Sequence, residues 1–123
     1  IEIIEQEKLV QNAADTGAYF KGQLETLSAD HPIVGDVRGI GLMFGVELVK
    51  DRRTKEPFGE HTDIDSRVRE KLKKHGLLLG SNNGIICIGP PLVITRGQVD
   101  EIVHAIDLAL WEIEGDLGIA SSV

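Results

Sequence analysis

Apolar residues recur at helical spacing along the first quarter of the chain. Ile3, Val10, Ala13, Gly17, Phe20, Leu24 and Leu27 stand three, four or seven positions apart, which lays them on one stripe of an amphipathic helix over residues 2–29. Glu2, Glu5, Lys8, Asp15, Lys21 and Glu25 fall mostly off that stripe. Pro32 ends the helix, because the residue before a proline avoids the α region. The period then changes to two. Residues 36–49 alternate, with Leu42, Phe44, Val46 and Leu48 on one face and Gly41, Met43, Gly45, Glu47 and Val49 on the other. This predicts a single long strand. Its second face is too thin to cover itself, and glycines within a strand often mark the close approach of another backbone. Something outside the strand is therefore expected to pack against it.

A polar turn follows over residues 51–57, then a second helix with Ile64, Val68 and Leu72 as its stripe. Asp63 or Asp65 is its expected N-cap and Gly76 its stop. Leu77–Leu79 reads as a short strand. Ser81-Asn82-Asn83-Gly84 carries the Asn-Gly hairpin signal, and Ile85–Ile88 reads as a further apolar strand that Pro90-Pro91 breaks. Thr95 and Gln98 have the spacing of a capping box. They open a last helix whose stripe is Val99, Ile102, Val103, Ile106, Leu110 and Ile113. Gly115 is its expected end, with 116–123 as a frayed tail. This order predicts an α+β, two-layer domain: a small antiparallel or mixed sheet of three to four strands, with helices on one face.

Composition narrows the picture. The 123 residues suit one domain, 1–123, and apolar residues at 41% allow a core built from Ile, Val and Leu. A net charge of −7 without a basic cluster argues against nucleic acid and against an anionic membrane surface. No apolar run approaches a membrane span. Cys87 is the one cysteine, so no internal disulfide forms, which fits a reducing, cytoplasmic setting. The chain opens inside a helical pattern without Met, and is expected to be a piece of a longer polypeptide.

Candidate chemistry is sparse. Gly39, Gly41 and Gly45 mimic a dinucleotide loop, but the spacing is one residue too long and the motif runs into a strand rather than a helix. His31, His61, His75 and His104 show no metal-ligand spacing, and no serine sits in a nucleophile elbow. Glu47 is expected to be solvated or salt-bridged. Arg38 either holds an anion such as a carboxylate or anchors a loop through backbone carbonyls. Ser81, Asn82 and Asn83 either line a pocket or simply satisfy the turn.

Two stretches resemble the small domain of class III aminotransferases. One is His31-Pro32-Ile33-Val34-Gly35-Asp36-Val37-Arg38-Gly39-Ile40-Gly41-Leu42-Met43-Phe44-Gly45-Val46-Glu47-Leu48-Val49-Lys50-Asp51. The other runs from Gly76-Leu77-Leu78-Leu79 through Ile85–Ile88 to Pro90-Pro91-Leu92-Val93-Ile94-Thr95 and the helix from Arg96. The resemblance implies a fold-type I transferase, a homodimer or larger, that moves an amino group from an amine or (ω-)amino acid to a keto acid through pyridoxal 5'-phosphate. It places the cofactor lysine and the phosphate contacts in a large domain upstream of Ile1, so Lys8 and Lys21 are not assigned to them. No catalytic, cofactor or metal residue is then expected in this chain, which alone would be inactive.

The small domain is implied to close over the active site, with Arg38, Gly80, Ser81, Asn82, Asn83 and Cys87 as the substrate-pocket rim. Many relatives hold the substrate carboxylate with an arginine ahead of the Pro-Pro-Leu segment. At the two expected places this chain has Gly80 and Cys87. The carboxylate is then held elsewhere, by Arg38 or by the large domain, or the substrate is an ω-amine or a sulfonate. A stand-alone small-molecule-binding regulatory domain is the alternative, and it would need a self-covered sheet. A pure dimerisation module is a third reading, and it leaves the family blocks unexplained.

Overall fold

The computed structural model describes residues 2–40, 43–90 and 94–119. Helix α1 spans Glu2–Asp30, and strands β1 (Val34–Ile40) and β2 (Met43–Leu48) follow. Then come a short 3-10 turn over Glu60–Thr62, helix α2 (Ile64–Lys74), strands β3 (Gly80–Asn82) and β4 (Ile85–Ile88), and helix α3 (Arg96–Asp116). The four strands form one antiparallel sheet in the order β1-β2-β4-β3.

The expected single strand over 36–49 is in fact two strands. Ile40 pairs with Met43 and Gly39 with Phe44, so the chain reverses around Gly41 and Leu42, which lie outside the described residues. The inward positions change from odd in β1 (Val37, Gly39) to even in β2 (Phe44, Val46), a change of phase that the pattern hides because Gly39 has no side chain. A Cβ on Gly39 would stand 2.3 Å from Cδ1 of the Phe44 ring. That glycine lets the aromatic ring lie against the backbone, the close approach its place in a strand suggested.

Pleating sorts the sheet into two faces. Val37, Val46, Ile86 and Ser81 form one cross-strand row and Gly39, Phe44 and Ile88 a second. Val46, Ile86, Phe44 and Ile88 of these rows are buried. Helices α1 and α3 cover this face with Phe20, Leu24, Leu27, Val99, Ile106, Leu110 and Ile113, and the Phe20 and Phe44 rings meet at 4.7 Å between centroids. Helix α2 joins the same core through Ile64, Val68 and Leu72. The opposite face carries the row Arg38, Gly45, Cys87, Gly80 and the row Asp36, Glu47, Ile85, Asn82. No helix covers it among the described residues; Arg38, Asp36, Gly80, Asn82 and Cys87 are all exposed.

Helix ends explain three further departures. In α2, Gly76 N–H bonds the Lys73 carbonyl and Leu77 N–H the Leu72 carbonyl, with Gly76 at φ 87°. This is a Schellman closure, and it uses the Leu77 amide that a strand over Leu77–Leu79 would have needed. Leu78 is left 85% exposed, and the strand starts at Gly80 instead. In α3 the same closure is built by Gly118 (φ 70°) and Ile119, so Gly115 is interior to the helix. Residues 116–119 of the expected frayed tail are therefore ordered, and 120–123 lie outside the described residues. In α1, Val10 is 70% exposed although the stripe placed it inward. Only the later part of that stripe, from Gly17 on, is buried, and the side chain of Ile3 lies outside the described residues.

Candidate functional site

The open face carries four of the six residues expected at the pocket rim: Arg38, Gly80, Asn82 and Cys87. Arg38, Cys87 and Gly80 stand in one row, each on a different strand, with Gly45 between Arg38 and Cys87. Because Gly45 has no side chain, the sheet dips there. A cleft of about 430 Å³ results, lined by Arg38, Gly39, Met43, Phe44, Gly45, Cys87, Ile88 and Gly89. Its size is within the range of small-molecule sites. Asn82 lies one row further along beside Ile85. Asn83 lines a different cavity of about 470 Å³, together with Leu48, Phe58, Asp63 and Asp65. Ser81 is on the covered face, 1% exposed, and its hydroxyl donates to Asp65 Oδ1 at 2.7 Å.

Arg38 is held by two carboxylates. Its Nε sits 3.0 Å from Asp36 Oδ2, and its Nη2 pairs with Glu47. Glu47 is thus a salt-bridged strand residue, as expected. The loop-anchoring role considered for Arg38 belongs to Arg52, which donates to the carbonyls of Val34, Ser28 and His31. Exposed ion pairs contribute about 0–1 kcal/mol, so turning the Arg38 guanidinium toward another anion costs little.

Capping differs at the two helix starts. Thr95 Oγ1 accepts from Gln98 N–H while Gln98 Oε1 accepts from Thr95 N–H, a complete capping box. Asp63 is the residue at the α2 N-cap position, in the left-handed region at φ 49°, but its side chain makes no capping bond. Asp65 does not cap either; it reaches across to the hairpin.

One buried polar cluster had no sequence signal. His31 is 1% exposed, with Nδ1 2.6 Å from Glu114 Oε1 and Nε2 2.5 Å from Asp107 Oδ1. Glu114 is 2% exposed and its Oε2 has no partner. The partners are 76 and 83 residues away from His31, so no local pattern could announce them. A second clamp joins α2 to α3. Lys74 and His75 hold Glu112, and Lys71 holds Glu112 and Asp116. The hydrogen bonds from Lys74 and then His75 pull the Glu112 carboxyl down to about 2, and the bond to Asp116 raises Lys71.

Among the described residues, no three His, Cys, Asp or Glu side chains are grouped to hold a metal, and no helix is long and apolar enough to cross a membrane. No lysine lines the open-face cleft. Lys55 is engaged with the Gly35 carbonyl, and Lys71 and Lys74 with acids on α3. The open-face cleft therefore does not fit the covalent anchoring of pyridoxal phosphate.

Residues 1–110 match the sequence model of the aminotransferase class-III family. The chain belongs to the class III aminotransferase family. Among class III relatives, it is 40% identical over an alignment of 126 residues to taurine–pyruvate aminotransferase of Bilophila wadsworthia, covering 97% of this chain and 27% of that protein. It is 41% identical over 113 residues to alanine–glyoxylate aminotransferase 2 homolog 2, mitochondrial, of Arabidopsis thaliana, covering 89% of this chain and 23% of that protein. The fold superposes on an (S)-enantioselective omega-transaminase from Thermomicrobium roseum with a TM-score of 0.84 and 33% identity, over 91% of this chain and 25% of that one. This class III chain thus spans about a quarter of the length of the relatives it matches. The α+β sheet-and-helix arrangement expected from its sequence is the one those transaminases share.

Proposed function

We propose that this chain is the C-terminal small domain of a pyridoxal-phosphate-dependent transaminase and that its open sheet face borders the substrate pocket. The observation that carries this is the row Arg38, Gly45, Cys87, Gly80 on an uncovered face, in a chain whose family is set by residues 1–110. The uncovered face also favours this reading over a stand-alone regulatory domain, which would cover its own sheet. The full enzyme would be a cytoplasmic homodimer or larger assembly, and would move an amino group from an amine or (ω-)amino acid to a keto acid. The cofactor, held by the large domain of the same polypeptide, would supply the electron sink for that chemistry.

The residues here would orient substrate and exclude water. Arg38 is the cation we assign to the substrate's anionic end, released from Asp36 and Glu47 when that anion arrives. Gly80 and Cys87 leave room beside it and add no second cation. The similarity to a taurine–pyruvate aminotransferase supports a donor that bears its acid group, a sulfonate, away from the amine. Arg38→Lys in the full-length enzyme keeps the charge but loses the two-pronged donor geometry. We expect a raised KM for the keto acid, measured by steady-state transamination with pyruvate. An unchanged KM would remove Arg38 from the site.

A further inference from the structure

Ser81 had been read as a pocket residue, and its actual position opens another role. The β3–β4 hairpin carries Gly80, Asn82 and Cys87 on the open face, yet it is gripped from the covered face. Asp65 Oδ1 accepts from Ser81 Oγ at 2.7 Å and from Gly84 N–H at 3.0 Å. Arg69, one helical turn further along α2, donates to the Ser81 carbonyl at 2.8 Å. Residues i and i+4 share one helix face, so α2 presents a carboxylate and a guanidinium that bracket a single buried serine. The turn itself is fixed on its far side, where the Gly84 carbonyl accepts from Leu48 N–H at 2.7 Å. Helix α2 is seated in turn, through Val68 and Leu72 in the core and through Lys71, Lys74 and His75 on α3.

We propose that Asp65 is a positioning residue for substrate binding: it touches neither substrate nor cofactor, and sets the height of the hairpin that carries Gly80, Asn82 and Cys87. The proposal rests on the pocket reading given above. Three features support it. The carboxylate is spent on the hairpin rather than on capping its own helix. Hydrogen bonds to an ionised acceptor are about twice as strong as neutral ones. Pleating also passes any displacement of Ser81 directly to its two neighbours on the open face.

The test uses the full-length holoenzyme with pyruvate as acceptor. Asp65→Ala removes both bonds and should raise the KM for pyruvate about tenfold, a change of about 1.4 kcal/mol. Turnover at saturation should stay within about twofold, because the chemistry itself is untouched. Asp65→Asn keeps an acceptor oxygen without the charge and should bring the KM part of the way back. Ser81→Ala removes one of the two bonds and serves if Asp65→Ala does not fold; it should raise KM in the same direction. Asn82→Ala and Cys87→Ala act as the control on the pocket reading. If they move KM while Asp65→Ala and Ser81→Ala do not, the positioning role is overturned and the pocket stands. If none of the four moves KM, the pocket reading fails and takes this proposal with it. A fall in turnover with KM unchanged, or no rescue by Asp65→Asn, also overturns the proposal.

Discussion

The two faces of this sheet are made by the same four strands, yet they follow different rules. On the covered face, Phe44, Val46, Ile86 and Ile88 pack against α1 and α3, and even the polar Ser81 is fully bonded. On the open face, alternate positions of β2 hold Met43, Gly45 and Glu47, with Arg38 and Cys87 beside Gly45, and these neither fill space nor form a core. Stability should therefore reside mainly on one face and direct substrate contact on the other. The difference teaches that alternation in a strand can separate folding from function within a few ångströms.

The sharpest break of that comparison is a pair of adjacent residues. Phe44→Ala removes a buried ring packed on Phe20 and should cost about 3–5 kcal/mol in urea unfolding. Met43→Ala, at a position 69% exposed on the open side, should stay within about 0.5 kcal/mol in the isolated chain. Comparable losses at the two positions would erase the distinction between faces.

Next in size is the cluster beneath the covered face. His31→Ala leaves Glu114 buried without its partner, and should cost about 3–5 kcal/mol by the same measurement, at the lower end if Asp107 turns to solvent. A double substitution His31→Leu with Glu114→Leu should recover most of that loss, since the penalty comes from the buried carboxyl left without a partner. Gly39→Ala probes the boundary between faces. Its methyl group would collide with the Phe44 ring, and the strain should cost about 1–3 kcal/mol.

The smallest expected effect is at the periphery, in the α2–α3 clamp. Glu112 is pulled from 4.5 down to about 2 by Lys74 and His75. A carboxyl lowered on folding stabilises the fold above its unfolded value and loses that contribution as pH falls toward the folded one. Thermal unfolding should therefore show a shallow loss of stability between about pH 4.5 and 2 that Glu112→Gln removes. Lys71 works on the opposite limb: it is raised by Asp116, so its contribution is lost only as pH rises through its folded value.

Much of the covered face was legible in the sequence, because it rests on local periods. The stripes of α2 and α3, the Thr95–Gln98 box, the Gly76 stop and the Asn83-Gly84 turn all depend on residues a few positions apart. The reversal between β1 and β2 was not legible, since the change of phase it brings shows only at Val37: Gly39, the other inward position of β1, has no side chain. Gly115 and Gly118 both read as helix ends in the sequence; the closure forms at Gly118, with Ile119 packed against the core. The candidate site was half legible. Arg38 follows from its own chemistry and Gly80 and Cys87 from the resemblance, but their alignment in one row required the strand register. The true neighbours of Ser81 and His31 are long-range, and no spacing in a linear chain encodes them.

The central claim is that the open face borders a substrate pocket, and Cys87 reports on it directly. The full-length enzyme would be treated with a maleimide, and modification of the Cys87 peptide followed by mass spectrometry, with and without pyruvate at saturating concentration. The account predicts that pyruvate slows modification at least about tenfold, since a bound anion beside Arg38 would occupy the cleft that Cys87 lines. Modification at the same rate in both conditions would contradict it and would put the substrate somewhere other than this face.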